Sequence, residues 1–146
     1  MPVKTLRIYT DGGARGNPGP AGSGAVVKAV NEDGTEGENL ALLQKYLGET
    51  TNNQAEYEAI VIGLQKALEL GAERVELVMD SELAVKQIKG EYRVKNPGLA
   101  VKYLRVFNLL RQFKSYSVRH VLRAYNKEAD ALVNQAIDNH LKRGGP

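Results

Sequence analysis

The chain has 146 residues, no cysteine and a formal net charge of +3. This length suits one domain with a sizeable core, and 42% hydrophobic with 25% charged residues is ordinary for a globular protein. The lack of cysteine excludes disulfides and thiolate metal sites, and no apolar run is long enough to predict a membrane span. We therefore expect a soluble, cytoplasmic monomer with no implied protein partner, comprising one domain over residues 1–141 and a flexible tail over 142–146.

The first third of the chain predicts an antiparallel meander. Residues 4–10 and 24–30 have the apolar patterns of strands, and a third strand falls within 38–48. The glycine- and proline-rich segment 11–24 predicts a turn region, and Asp33-Gly34 is a hairpin turn signal. Consecutive strands with short connections favour antiparallel pairing.

After the third strand the pattern becomes helical. Thr51-x-x-Gln54 is a capping box for a helix that runs to Leu70, with Gly71 as its C-cap. The remaining elements are strand 73–79, a helix capped by Ser81 that ends at Ile88, helix 99–113, strand 117–122 and a helix capped by Asn126 that ends near Leu141. The order βββαβααβα, with long crossovers after the third and fourth strands, predicts an α/β fold with a five-stranded mixed sheet flanked by helices.

Four acidic residues fall where apolar residues are expected. Asp11 and Asp80 end two apolar strands, and Glu56 and Asp130 lie on the apolar faces of two helices. Each has a structural explanation when taken singly, as a turn former, a helix cap or a complement to the helix dipole. Buried together, however, four carboxylates would repel one another unless a cation held them. Because strand ends and helix starts meet at one edge of such a sheet, the four predict a divalent metal site.

The ligand type indicates the metal and the reaction. Carboxylate oxygens suit Mg²⁺, with Mn²⁺ as a substitute. Two such ions roughly 4 Å apart can bind the attacking and the leaving oxygen of a phosphodiester. We therefore expect two Mg²⁺ ions per site and phosphoryl chemistry.

The segment after Asp11 predicts a contact with nucleic acid. Gly12 and Gly13 allow a ligand to approach the backbone closely, and Arg15 and Asn17 add hydrogen-bond donors. The segment has neither the P-loop pattern nor the dinucleotide-binding pattern.

A second polar segment precedes Glu56. Thr51 caps the helix, which leaves Asn52 and Asn53 to reach a phosphate, a 2′-hydroxyl or a groove edge.

Four motifs resemble those of type 1 ribonuclease H, in that family's order and over almost the whole chain. They are DGGARGNPGPAG, TTNNQAEYEAI, MDSELAVKQI and the spacing Asn126-x-x-x-Asp130. The resemblance implies the ribonuclease H-like fold, which agrees with the elements predicted above. It also implies an endonuclease that hydrolyses the RNA strand of RNA–DNA hybrids with two Mg²⁺ ions, leaving 5′-phosphate and 3′-hydroxyl ends.

The same resemblance implies roles for individual residues. The residues that match the catalytic, metal-binding acids are Asp11, Glu56, Asp80 and Asp130. Glu56 would also contact a 2′-hydroxyl, and Thr51 with Asn53 would form a pocket for a phosphate of the DNA strand. The expected substrate-binding residues are Gly12, Gly13, Arg15, Asn17, Thr51, Asn52, Asn53 and Glu82, the last at a position where the family often has Gln.

The chain departs from the family at the loop before the last acid, where many members carry a catalytic His. His120 alternates with Val118 and Leu122, so we expect it to lie inside the last strand with a structural role. Arg123 leaves that strand just before the last helix. It is therefore our candidate for stabilising phosphate charge or assisting product release.

The chain also lacks the basic helical protrusion found in some members, because only EYRVKNPG separates the second and third helices. Members without the His loop and the protrusion resemble a subgroup for which double-stranded RNA is a further substrate.

Two alternatives share this fold. One is a non-catalytic module that binds hybrid or double-stranded RNA, although clustered negative charge beside phosphates would weaken a pure binder. The other is a strand-transfer nuclease of the integrase type, which normally has fewer acids and additional DNA-binding domains.

Overall fold

The computed structural model describes residues 4–143 and confirms the predicted order of elements. The elements are β1 (Thr5–Ala14), β2 (Gly19–Val30), β3 (Glu36–Thr50), α1 (Asn52–Glu69), β4 (Arg74–Met79), α2 (Glu82–Ile88), α3 (Pro97–Leu110), β5 (Ser115–His120) and α4 (Lys127–Lys142). A 3-10 turn, Arg123–Tyr125, precedes α4. Helix α4 includes the first residue of the predicted tail, and residues 144–146 of that tail lie outside the described residues.

The five strands form one mixed sheet in the order β3-β2-β1-β4-β5. The pairs β1–β2 and β2–β3 are antiparallel, whereas β4 lies parallel to β1 and β5 lies parallel to β4. The predicted α/β class and the antiparallel first three strands are therefore confirmed. Thr10 pairs with Met79 in the parallel register. Asp11 and Asp80 are the next residues along, so they lie side by side where the pairing of β1 with β4 ends.

Helices cover the two faces of the sheet unequally. Successive residues of β2 belong to different clusters: Ala25 and Val27 to the main core with α1 and α3, and Val26 to a smaller cluster with α4. Since side chains alternate across a strand, α4 lies on the face opposite α1. No helix within residues 4–143 is long and apolar enough to cross a lipid bilayer.

The glycine-rich segment was predicted wrongly as one turn region over 11–24. Strand β1 continues to Ala14 and β2 begins at Gly19, so only residues 15–18 connect them. Gly12 and Gly13 pair with Ser23 and Gly22 in the antiparallel register. Pairing with a partner strand outweighs the local preference of glycine for turns.

The starts of α3 and β5 also differ from prediction. Helix α3 begins at Pro97, two residues before the predicted start, because the Asn96 side chain accepts a hydrogen bond from Leu99 N at 3.0 Å and Pro is favoured in the first turn. Strand β5 begins at Ser115, where it pairs with Arg74 of β4.

Candidate active site

A close approach between β1 and α1 places two of the acids together. A Cβ atom on Gly12 would lie 2.2 Å from the carbonyl carbon of Ala55 and 2.3 Å from Glu56 N. Strand and helix therefore meet backbone to backbone, directly between Asp11 and Glu56. The buried Ser23 hydroxyl donates to Ala55 O at 2.6 Å and holds this contact.

A second close approach brings α4 to the opposite face. Gly24 pairs with Asp11 across the sheet. A Cβ atom on Gly24 would lie 2.5 Å from Ala129 O and 2.9 Å from the Leu132 Cβ. The start of α4 therefore lies directly on β2, and Asp130 faces the end of β1.

All four acids line one cavity of about 410 Å³ beyond the carboxyl ends of β1 and β4. The predicted convergence of the four is thus present in the fold, while their catalytic roles stay predictions. The other lining residues are Gly12, Gly13, Ala14, Arg15, Asn52, Ser81, Arg123, Val133, Asn134 and Ile137.

Mutual repulsion and burial perturb the acids. Burial, followed by the charge of Asp80 and by contact with Asp130, raises the pKa of Asp11 to about 8. Burial also raises the pKa of Glu56, where the Ser81 hydroxyl opposes the shift and the charge of Asp80 adds to it. Without metal, Asp11 therefore stays largely protonated near neutral pH.

The donor set fits hard divalent cations. Glu56 Oε2 is buried and makes no hydrogen bond to the described residues. Among those residues, no three acidic or histidine side chains already converge closely enough to enclose one ion. Mg²⁺ does not require such a cage, since it is commonly held by one or two carboxylates together with water and substrate phosphates. The cavity offers four acids for such binding, and one of them, Asp11, is protonated in the absence of metal.

Arg123 lies at the cavity as predicted. Its Nη2 is 3.5 Å from Asp130 Oδ1, and its side chain is 79% exposed. It is thus held loosely and points into solvent above the acids. His120 is the last residue of β5 and does not line the cavity, in agreement with its expected place in a strand. His140, near the end of α4, stacks on Tyr46 with ring centroids 3.8 Å apart.

Three predicted substrate-binding residues tie the glycine-rich segment to helices. Asn52 Oδ1 accepts from Ala14 N at 2.7 Å, and Asn17 Oδ1 accepts from Asn52 N at 3.1 Å. Arg15 forms an ion pair with Asp138 at 2.7 Å. Of these three residues, Arg15 and Asn52 also line the cavity.

A second cavity, of about 320 Å³, lies beside the first. Predicted residues Asn17, Thr51 and Asn53 line it, so they face one concave site, while phosphate binding there stays a prediction. Asn96, which caps α3, also lines this cavity. No role was predicted for Asn96, although Asn96 directly before Pro97 is the pattern of a helix start.

Glu82 is the one predicted substrate-binding residue that the fold does not bring to either cavity. It is exposed at the start of α2 and pairs with Lys86 at 3.1 Å. Glu82 and Lys86 lie one turn apart on α2, so they form an ion pair on the surface of the helix.

Asn126 differs from its predicted role as a cap. Its side chain makes no capping hydrogen bond to α4. Instead Nδ2 donates to Thr10 O at 2.8 Å and to Asp80 Oδ1 at 3.2 Å. The sequence signal for Asn126 was its position one helical turn before Asp130. Its contacts with Thr10 and Asp80 were not predictable, because β1, β4 and α4 come together only in the folded protein.

Comparisons with known proteins agree with this architecture. A family model described as "Reverse transcriptase-like" matches residues 9–136. A bifunctional protein of Mycobacterium tuberculosis is 43% identical over 90% of this chain, and ribonuclease HI of Halobacterium salinarum is 42% identical over 92%. The chain spans 35% of the length of the first relative and 65% of the second.

A solved structure is similar over nearly the entire chain. LC11-RNase H1, determined in complex with an RNA/DNA hybrid, has a TM-score of 0.84 and 43% identity, covering 93% of this chain and 99% of its own. The fold described above is therefore shared with a protein of 43% sequence identity.

Proposed function

This chain belongs to the type 1 ribonuclease H family, and we propose that it is an endonuclease that hydrolyses the RNA strand of RNA–DNA hybrids. The observation that carries the proposal is the cavity at which Asp11, Glu56, Asp80 and Asp130 meet. A non-catalytic module would gain nothing from this concentration of negative charge beside phosphates. Burial, and after it the neighbouring Asp80 and Asp130, raise the pKa of Asp11, which is the cost of holding such a cluster without cations.

The four acids would hold two Mg²⁺ ions, with Mn²⁺ as a substitute. Asp11 lies between Asp80 on the neighbouring strand and Asp130 on α4, which suits it to share its oxygens between two positions. When bound, the ions would activate a water and stabilise the leaving oxygen of the phosphodiester. Water attack on phosphorus with cleavage of the bond to the 3′ oxygen, which takes up a proton, gives 5′-phosphate and 3′-hydroxyl ends.

The chain's own residues would select and hold the substrate. Glu56 lines the cavity, where its carboxylate can accept a hydrogen bond from a ribose 2′-hydroxyl. The cavity lined by Thr51 and Asn53 would bind a phosphate of the DNA strand. Arg123, exposed and only loosely paired with Asp130, would add positive charge near the scissile phosphate.

Double-stranded RNA is proposed as a second substrate. Only residues 121–126 separate β5 from α4 and only residues 89–96 separate α2 from α3, and neither connection contains a histidine or a helical protrusion. A site with few contacts beyond the catalytic cavity discriminates less against a second strand of RNA.

Incubation of the protein with labelled RNA–DNA hybrid, double-stranded RNA and double-stranded DNA tests these proposals, each substrate with Mg²⁺, Mn²⁺ or EDTA. We expect the RNA strand of the hybrid, and more slowly double-stranded RNA, to be cut with either metal and not with EDTA. Hybrid binding without cleavage under every condition would instead support a binding module, and cleavage of double-stranded DNA would support an integrase-type nuclease.

A further inference from the structure

Asn126 is a buried residue at which three segments of the active site meet. Its side chain is 2% exposed. Its Nδ2 donates to Thr10 O, directly before Asp11, at 2.8 Å, and to the Asp80 carboxylate at 3.2 Å. Its backbone carbonyl accepts from Asp130 N at 3.1 Å. One residue therefore connects the segments that carry three of the four acids.

Helix capping does not explain this side chain. Thr51, Ser81 and Asn96 each cap the helix that follows them through a side-chain oxygen. Asn126 occupies the equivalent position before α4 without such a bond. Its amide is directed instead at a backbone carbonyl of β1 and at a carboxylate.

The chemistry of the partners fixes the orientation of the amide. Both the Thr10 carbonyl and the Asp80 carboxylate are acceptors, so Nδ2 has to face them. The Asn126 Oδ1 atom is buried and makes no hydrogen bond to the described residues. A buried oxygen without a hydrogen bond is unfavourable, so the acceptor does not explain why an asparagine is present here. The two hydrogen bonds donated by Nδ2 do explain it.

Resting on the metal-dependent function proposed above, we propose that Asn126 is a positioning residue that orders Asp11, Asp80 and Asp130 before metal binds. Its hydrogen bond to Asp80 Oδ1 restricts rotation of that carboxylate and leaves the other oxygen for an ion. Its bond to Thr10 O fixes the start of α4 against the end of β1. A group that orients metal ligands in this way typically changes metal affinity by about 10- to 100-fold.

Two variants and a matched control test the proposal. Asn126→Leu keeps the number and branching of the side-chain heavy atoms and removes the donor, and Asn126→Ala removes the branched group altogether. Val106→Ala is the control, because it creates a cavity at a fully buried position of α3 that does not line the active-site cavity. Mg²⁺ alone is titrated into each protein well below its melting temperature, and the backbone amide signals of Gly12 and Gly13 are followed by NMR.

We expect the Mg²⁺ dissociation constant to rise about tenfold or more in both Asn126 variants and to stay at the wild-type value in Val106→Ala, even where its melting temperature falls as far. In hybrid hydrolysis, the Mg²⁺ concentration for half-maximal rate should rise more than kcat falls. Wild-type Mg²⁺ affinity in the Asn126 variants, or an equal loss in Val106→Ala, would overturn the positioning role and leave the proposed function standing. A wild-type protein that binds no Mg²⁺ would reject the proposed metal site and this role with it.

A measurement on the wild type keeps the proposal testable if the variants fail to fold. The Asn126 side-chain NH₂ signals should shift during the Mg²⁺ titration, because they report the charge on Asp80. If the Gly12 signal shifts and the Asn126 side-chain signals do not, the role is overturned.

Discussion

Asp11 is the acid whose charge depends most on its surroundings. Burial and the neighbouring Asp80 and Asp130 raise its pKa to about 8, far above its ordinary value of 3.8. The folded protein without metal therefore keeps a proton that the unfolded chain releases near pH 4. Stability from this group is present at low pH and is lost as pH rises from about 4 toward 8.

The metal-free protein should consequently lose stability relative to Asp11→Asn between pH 5 and 8. The slope from one proton is at most about 1.4 kcal/mol per pH unit. Urea denaturation of both proteins in EDTA at several pH values measures this difference. Mg²⁺ should reduce the loss in the wild type, because it favours the ionised carboxylate. Parallel stability curves for the two proteins would show that Asp11 is ionised without metal.

Arg123 is the residue besides the four acids that we expect to contribute to kcat. Its exposed guanidinium, 3.5 Å from Asp130, can turn toward a bound phosphate. Arg123→Ala should lower kcat for the hybrid at least about tenfold, equivalent to about 1.4 kcal/mol. Arg111→Ala, at the exposed end of α3, is the matched control and should keep the wild-type rate. Unchanged kcat and KM in Arg123→Ala would remove this residue from the mechanism.

At the residue scale, the sequence identifies the acids better than it identifies their partners. Asp11 and Asp80 stand out because they end apolar strands, a signal that is local and chemical. Asn126 looks like an ordinary cap in the sequence, since its contacts with Thr10 and Asp80 depend on the meeting of α4, β1 and β4. A residue whose contacts lie on elements distant in the sequence has no local pattern that predicts those contacts.

Glycines in β1 and β2 set the distance between elements. Gly12 and Gly24 allow α1 and α4 to approach the sheet from opposite faces, at two adjacent pairs of the β1–β2 register. The sequence interpretation treated these glycines as turn residues, because composition alone does not distinguish a turn from a close backbone approach. Helix starts were predicted more accurately, since Thr51 and Ser81 cap their helices through local contacts.

Gly12→Ala should therefore destabilise the protein far more than Gly13→Ala. The new Cβ would lie 2.2 Å from the α1 backbone at position 12, whereas the nearest atom at position 13 is a side-chain carbon 3.7 Å away. The new methyl group would push β1 away from α1, so Gly12→Ala should lower the free energy of unfolding by about 3 kcal/mol. Thermal and urea denaturation measure both variants, and equal stability would contradict the close approach.

The whole molecule combines a common fold with a small excess of positive charge. The order of strands and helices was predictable because periodicity and caps mark each element, and the order restricts the sheet topology. The convergence of the acids followed from that topology, whereas the second cavity needed Asn96, which enters from a separate helix. The formal net charge of +3 provides only limited long-range attraction to a nucleic acid.

Hybrid binding should depend on salt but less steeply than in strongly basic proteins. With about three or four phosphates neutralised, the logarithm of the association constant should fall against the logarithm of salt concentration with a slope of roughly −2 to −4. Fluorescence anisotropy with Asp80→Asn in Mg²⁺ provides the measurement without cleavage. A slope near zero would contradict a binding surface that contacts the phosphate backbone.

The most direct test of the central claim is hydrolysis of a labelled RNA–DNA hybrid by the wild type and by Asp80→Asn, in Mg²⁺ and at the same protein concentration. Asp33→Asn makes the same chemical change at the exposed β2–β3 turn and is the control. We predict 5′-phosphate and 3′-hydroxyl products from the wild type and the control, and a rate reduced by more than about a hundredfold in Asp80→Asn. Cleavage by Asp80→Asn at the wild-type rate would contradict the proposed site.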